Sequence, residues 1–256
     1  VLFRSRAAQA GKHVCVEKPF TLTVASARSA LDAVKKAGIV LGIDYQRRFH
    51  PSIGEIRRRV KDGRVGTIGF GLAEATAPAG LFLPKESWRT NPDETPVGAM
   101  TGIGVHLVDG FIDLIGEIDE VYCVNTRRAA PLVDDTTTVV LKHRNGATST
   151  FVCSIASAPN YRVAVYGSRG LAETERNMDA FRFVPAPDKP GHAPGQQEVI
   201  EHKGFNPVKA SIEAFAAAVS GKAPFPITPE QIVHGVAVFE AVVKSAQTGQ
   251  PAKVAQ

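Results

Sequence analysis

The sequence predicts an α/β chain in two unequal parts: a short parallel strand–helix–strand unit, then a larger, mainly antiparallel sheet closed by helices. Three observations carry this. The first 44 residues alternate short apolar runs with a helical apolar stripe. The middle of the chain alternates large and small residues with period two and holds two tight hairpin signals. The end shows two separate helix starts, each marked by a capping residue before proline.

Taken in order, Ala7 to Ala10 read as the end of a helix stopped by Gly11. His13 to Val16 form a short buried strand. Val24, Ala27, Leu31 and Val34 share one helical face, and Gly38 ends it. Ile39-Val40-Leu41 is a second strand, which completes a βαβ unit of a parallel sheet. Ile53, Ile56 and Val60 then mark an amphipathic helix, with Arg57-Arg58-Arg59 and Lys61 as its wet side. Ile68, Phe70 and Leu72 alternate with Gly69, Gly71 and Ala73, as in a strand with one packed face. Val121 to Thr126 is a further strand. Arg144-Asn145-Gly146 joins Thr136–His143 to Ala147–Ile155, and Gly167-Ser168-Arg169-Gly170 makes a second hairpin. Pro185 to Gln197 reads as an exposed loop. Asn206-Pro207 opens a helix with Val208, Ile212, Phe215 and Val219 on its apolar face. Thr228-Pro229 opens another through Ile232, Val236, Phe239 and Val243.

The 256 residues are 44% hydrophobic and carry a net charge of +5. That is enough for real cores. No run of 18 apolar residues exists, so no membrane-spanning helix is expected. The basic residues are dispersed, without aromatic interleaving, and no nucleic-acid partner is expected. Cys15, Cys123 and Cys153 lie far apart, each in an apolar stretch. No metal or disulfide framework follows, and reduced, buried thiols in a cytoplasmic protein are the plain reading.

Chemistry concentrates in a few places. Glu17-Lys18-Pro19 leaves the first strand at its carboxyl end, where ligands bind in open α/β sheets. A lysine there exchanges protons when its surroundings lower its pKa; an ordinary surface lysine fits the same pattern. Gly98, Gly102 and Gly104 precede a helix carrying Val105, Val108, Ile112 and Ile115, with His106 and Asp109 together on another part of its surface. In the first turn, the helix dipole would keep His106 neutral; a helix-start histidine bonded to its neighbours is the alternative. Trp88, beside Arg89, is either a core anchor or a flat wall for a ring ligand. Arg47-Arg48 stands at the second strand's carboxyl end, or is a pair of solvated charges. Asp134-Asp135 reads as a loop cap.

Together these segments resemble the Gfo/Idh/MocA oxidoreductases. The resemblance runs through Ala10-Gly11-Lys12-His13-Val14 into Glu17-Lys18-Pro19. It continues in Gln46-Arg47-Arg48-Phe49-His50-Pro51, in Ile103-Gly104-Val105-His106-Leu107-Val108-Asp109, and in Val165-Tyr166-Gly167-Ser168-Arg169-Gly170, and reaches the closing helix after Thr228-Pro229. It implies the C-terminal remnant of a Rossmann domain over 1–46, N-terminally truncated and without the Gly-rich phosphate loop. It implies an α/β substrate and oligomerisation domain with an open, mainly antiparallel sheet over 47–256. It further implies NAD or NADP as cofactor, a sugar, inositol or other polyol as substrate, and a homodimer or homotetramer built through the C-terminal sheet. Lys18 and His106 would be the catalytic pair. Glu17, Lys18, Gln46, Trp88 and Arg89 would touch the cofactor, and Lys18, Arg47 and His106 the substrate, with no metal. Pro19 would follow a cis bond. A non-catalytic nucleotide-binding sensor is the alternative within the family. One departure stands out. Many relatives read Asp-x-Gly-x-His where this chain reads Gly102-Ile103-Gly104-Val105-His106. The aspartate is absent, and Asp109 comes one turn later.

Overall fold

The computed structural model describes residues 2–255. Helix α1 (Leu2–Gln9) leads through Gly11, at φ 64°, into β1 (Val14–Val16). Helix α2 (Val24–Ala37) starts where the Thr23 side chain accepts from the Ser26 amide and stops at left-handed Gly38. Strand β2 (Leu41–Ile43) runs parallel to β1, two residues later than the apolar run suggested. The Val40 amide donates to His13 Nδ1 instead of extending the ladder. A 3₁₀ turn, Gln46–Phe49, links β2 to α3 (Pro51–Lys61), whose N-cap is the ring of His50.

Strand β3 (Ile68–Thr76) opens the large sheet. After it come two 3₁₀ turns, a π-helical turn at Met100–Gly104 and α4 (Val105–Leu114). Then follow β4 (Ile118–Thr126), β5 (Thr136–His143), β6 (Thr148–Ser154), β7 (Asn160–Gly167), β8 (Gly170–Glu175), β9 (Ala180–Pro185) and β10 (Glu198–Glu201). Helices α5 (Pro207–Val219) and α6 (Pro229–Thr248) and the short β11 (Ala252–Lys253) finish the chain. The nine-stranded order is β10-β9-β8-β7-β3-β6-β5-β4-β11. Every pairing is antiparallel except β3 with β6. Both expected hairpins form, with Gly146 at φ 90° in the first. Asp135 caps its loop by accepting from the amides of Arg128, Ala129 and Ala130.

The core lies between one face of this sheet and α3, α4 and α6. Val139, Leu141, Phe151, Cys153, Val163 and Val165 point into it from the strands, and Phe111, Leu107, Val238 and Val242 from the helices. Ser245 on α6 accepts from the Cys123 amide and stitches helix to sheet.

Strand β3 has one packed face, and it is the small one; three other expectations are corrected. Phe70 and Leu72 are 41% and 38% exposed; the inward positions of β3 are Gly71, Ala73 and Ala75. Helix α4 lies so close that a Cβ on Gly71 would stand 2.7 Å from both Phe111 and Ile115, so only small residues face it. The large ones go outward, where Phe70 stacks on Tyr166 at 4.4 Å. Arg59 is not on the wet side of α3: it is 2% exposed, paired with Glu55 and Glu198, with Phe181 5.2 Å away under its guanidinium. On α5, Val208, Ile212 and Val219 are exposed. That helix packs through Ser211 and Phe215, the latter lying over Gly42. Cys15 is exposed, whereas Cys123 and Cys153 are buried; all three are free thiols. Among the described residues no helix is long and apolar enough to cross a membrane.

The close seat of α4 predicts opposite outcomes for two glycines. Gly71→Val should lower unfolding stability in urea by about 1–3 kcal/mol through overpacking. Gly110 lies within α4, where a Cβ would meet nothing within 4 Å. Gly110→Ala should therefore raise stability by up to about 1 kcal/mol from helix propensity.

Candidate active site

Parallel pairing sends β1 and β2 out of the sheet at the same edge, and the Asp44 amide donating to Val16 O (2.9 Å) holds the two exits together. Glu17-Lys18-Pro19 leaves one strand there and Asp44 to Phe49 leaves the other. The Lys18–Pro19 peptide is cis. From this edge the Lys18 ammonium reaches across to the π-helical turn and donates to the Gly102 carbonyl. A π turn displaces the helical hydrogen-bond register, and such turns recur at functional sites. Gly104 lets the turn close: a Cβ there would lie 2.6 Å from Met100 Sδ and 2.9 Å from Cys153 Sγ. Burial pushes the Lys18 pKa down, reinforced by Arg89 and Arg47 and opposed by Glu17 and Asp44.

Lys18 lines a cleft of about 400 Å³ with Glu17 and Pro19. Its opposite wall is Leu83, Trp88 and Arg89, from the segment after β3, and Thr101, Gly102, Ile103 and Ile155 complete it. Trp88 is 54% exposed, so it is a wall and not a core anchor. The Arg89 guanidinium lies 4.5 Å from the Trp88 ring centroid.

His106, Gln46 and Arg47 are not on the cleft surface. His106 is buried beside it, and the Tyr45 ring meets its imidazole edge-on at 6.0 Å. Its pKa is held well below the ordinary histidine value, first by burial and then by Lys18 and Arg47. The expected cause, the dipole at a helix start, is corrected. The π turn runs directly into α4, so His106 sits inside a continuous helical stretch and not at its free end. Arg47 is half-buried, 4.9 Å from the Tyr161 ring centroid.

Arg48 is not a solvated charge. It is 5% exposed and forms a bidentate pair with Asp109, Nε to Oδ2 at 3.0 Å and Nη2 to Oδ1 at 2.5 Å. Nη1 donates to Gln231 Oε1 at 2.8 Å, and Asp113 lies 3.6 Å away. Burial pushes the Asp109 carboxyl up to about 6 against the pull of Arg48. Asp109 is thus committed to Arg48, and the Gly102 carbonyl is the acceptor that holds Lys18.

Three buried polar atoms around this edge have no hydrogen-bond partner among the described residues: His106 Nδ1, Gln46 Oε1 and Asp44 Oδ1. Each such atom costs about 1–3 kcal/mol unless something bonds it, and all three are buried behind the cleft lining, around the exit of β2 and on α4. A planar ring ligand fits the exposed indole of Trp88. Among the described residues no group of His, Cys, Asp or Glu is placed to hold a metal ion.

A parallel strand–helix–strand unit, a large mixed sheet and a lysine at the cleft between them make an α/β fold of Rossmann type with an appended sheet domain. The model of the GFO/IDH/MocA C-terminal domain matches residues 53–173, and that of the oxidoreductase family NAD-binding Rossmann fold matches residues 3–45. The chain belongs to the Gfo/Idh/MocA family. It is 30% identical over 198 residues to D-apiose dehydrogenase of Paraburkholderia graminis, a match covering 72% of this chain and 52% of that one. It is 27% identical to 1,5-anhydro-D-fructose reductase of Ensifer adhaerens, covering 97% and 74%. The crystal structure of aldose-aldose oxidoreductase from Caulobacter crescentus, complexed with glycerol, superposes with a TM-score of 0.81 at 27% identity, covering 98% and 75%. The chain spans about half the length of the D-apiose dehydrogenase it matches.

The residues that pattern reading passed over are Tyr45, Asp44 and the walls Leu83 and Ile155. None carries a motif; the cleft appears only when β1, β3 and the π turn converge. The segment also carries a measurable pH signature. Burial, His202 and Arg47 bring the His50 pKa down to about 4, with Asp179 opposing. The folded value lies below the unfolded one, so this stability is whole above pH 6.5 and is lost as pH falls toward 4. His50→Asn, which keeps a capping oxygen, should remove a loss on the order of 1–3 kcal/mol between pH 7 and 4 in urea titrations compared with wild type.

Proposed function

We propose that this chain is the substrate-handling part of an NAD(P)-dependent oxidoreductase acting on a hydroxyl of a sugar, inositol or related polyol. The observation that carries the proposal is Lys18. A partly buried ammonium, its pKa lowered, faces a cleft with only a neutral carbonyl as partner. The sugar-acting relatives support a polyhydroxyl ligand.

A nicotinamide, when bound, would accept or supply the hydride at the substrate carbon. The chain's own residues do the rest. Lys18 orients the reacting hydroxyl and shares its proton, which leaves as the alcohol becomes a carbonyl and returns in the reverse direction. His106, buried beside the cleft and held neutral, is proposed as the acid–base partner of Lys18. Glu17, Gln46, Trp88 and Arg89 are proposed to contact the cofactor and Arg47 the substrate, with the working division of the chain after residue 46. The outward face of the large sheet, with Phe70, Leu72, Val140 and Val152 exposed, is proposed to pair two or four copies.

Two measurements test this. Lys18→Ala should lower turnover across a panel of sugars and polyols by about 10²-fold or more, while NAD(P)H still quenches the single tryptophan, Trp88. Undiminished turnover ends the assignment; binding without turnover in the wild type would instead favour a nucleotide sensor. Val140→Lys with Val152→Lys should shift the elution of the protein toward a smaller species in size-exclusion chromatography, because like charges would face each other across an apolar contact.

A further inference from the structure

The Arg48–Asp109 pair is more elaborate than an anchor for one turn requires. Arg48 sits in the Gln46–Phe49 turn, directly after Tyr45, Gln46 and Arg47. Asp109 lies on α4 one helical turn beyond His106. The guanidinium also donates to the Asp109 backbone carbonyl at 3.3 Å, and through Gln231 it is bonded to the capping box at the start of α6. From behind, Arg57 donates to the Arg48 carbonyl (3.1 Å) and to Asp113 Oδ2 (2.6 Å). The turn, α4 and α6 meet at a single guanidinium, with Arg57 of α3 bracing the Arg48 backbone and Asp113 from behind.

We propose that Arg48 and Asp109 are positioning residues for His106: they clamp the Tyr45–Arg47 segment onto α4 and so keep the imidazole dry. The geometry supports this directly. Tyr45 is buried and meets the imidazole edge-on, and its place is set by the residue three positions later. The charged groups facing His106 are Lys18 from the exit of β1 and Arg47 from the turn. Those facing Asp109 are Arg48, Asp113 and Arg57. Lys18 and Arg47 disfavour a charged imidazole, but exclusion of water contributes most to its neutrality. Loosening the turn would admit water at the Tyr45 side while leaving both cations in place. The functional weight of the clamp rests on the reading of His106 given above; its effect on hydration does not.

The test is a neutral replacement. Arg48→Met with Asp109→Asn removes one charge of each sign, so the net charge is unchanged and the two cations that act on His106, Lys18 and Arg47, are kept. Exchanging a buried ion pair for groups of similar volume is commonly tolerated. Histidine ring resonances are followed by NMR from pH 8 to 6.5, assigned through His106→Asn. In the wild type the His106 resonance should stay fixed over this range. In the double variant it should move toward its protonated position at the acid end of the range, with a midpoint still below the ordinary value of about 6.5 because Lys18 and Arg47 continue to disfavour the charged ring. Val139→Ala, a core change away from the clamp, should lose stability yet leave the resonance fixed. A fixed His106 resonance in the double variant overturns the proposal, and so does an equal shift in Val139→Ala. In turnover assays the double variant should lose about tenfold or more in kcat with little change in KM. If the resonance moves as expected but the wild type turns over no polyol, the clamp stands and the enzymatic reading falls.

Discussion

The site depends on how closely α4 and its π-helical turn lie on the sheet. A side chain at Gly71 would meet Phe111 and Ile115, and one at Gly104 would meet Met100 and Cys153. The absence of two Cβ atoms lets side chains of α4 rest on the backbone of β3, and Met100 and Cys153 pack against the backbone of the turn. That closeness brings the Gly102 carbonyl under Lys18 and His106 beside it. The parallel exit of β1 and β2 aims Lys18, but it needs a floor at the right height. Small residues on β3 and in the turn supply it, and the Arg48 network fixes the helix in azimuth.

Lysine's acceptor has consequences for chemistry. A carboxylate beside an ammonium favours its charged form, whereas a carbonyl holds it in place with less electrostatic gain. In this chain the nearby helix carboxylates are engaged elsewhere: Asp109 with Arg48, and Asp113 with Arg57 and Arg48. Lys18 is thus held by the Gly102 carbonyl, while burial, Arg89 and Arg47 lower its pKa against the pull of Glu17 and Asp44. A lowered pKa fits a group whose proton leaves readily.

Much of the architecture was legible because it is local. Both hairpins and the caps at Asn206 and Thr228 depend on residues within a turn of one another, and the βαβ opening on runs that are neighbours in the chain. What escaped is non-local. Alternation in β3 shows that its two faces differ; which one turns inward is decided by a helix some forty residues later, and a closely seated helix selects the small side. Arg48 and Arg59 carry no local mark of burial, since their partners Asp109 and Glu198 lie far along the chain. The apolar stripe on α5 was visible, but Val208 and Ile212 face outward because the helix is pinned through Phe215. Lys18 and His106 were singled out by the company they keep in the sequence. Their meeting, with Trp88 opposite, is a product of the fold.

The parallel contact between β3 and β6 bears on how the molecule assembles. It is the only parallel pairing at the heart of an otherwise antiparallel sheet. The intervening chain contains the Trp88 wall, the π turn, all of α4 and two further strands. Closing that loop sacrifices chain entropy before the contact returns any stabilisation, and pairings of this kind slow folding. The hairpins and α6 can form early from nearby partners. The cleft is a late structure: its floor and one wall belong to the excursion, and they acquire their final distance from Lys18 only when β6 docks beside β3. The floor and one wall of the cleft are thus tied to the one long-range parallel contact of the sheet, and not to the local elements around Lys18.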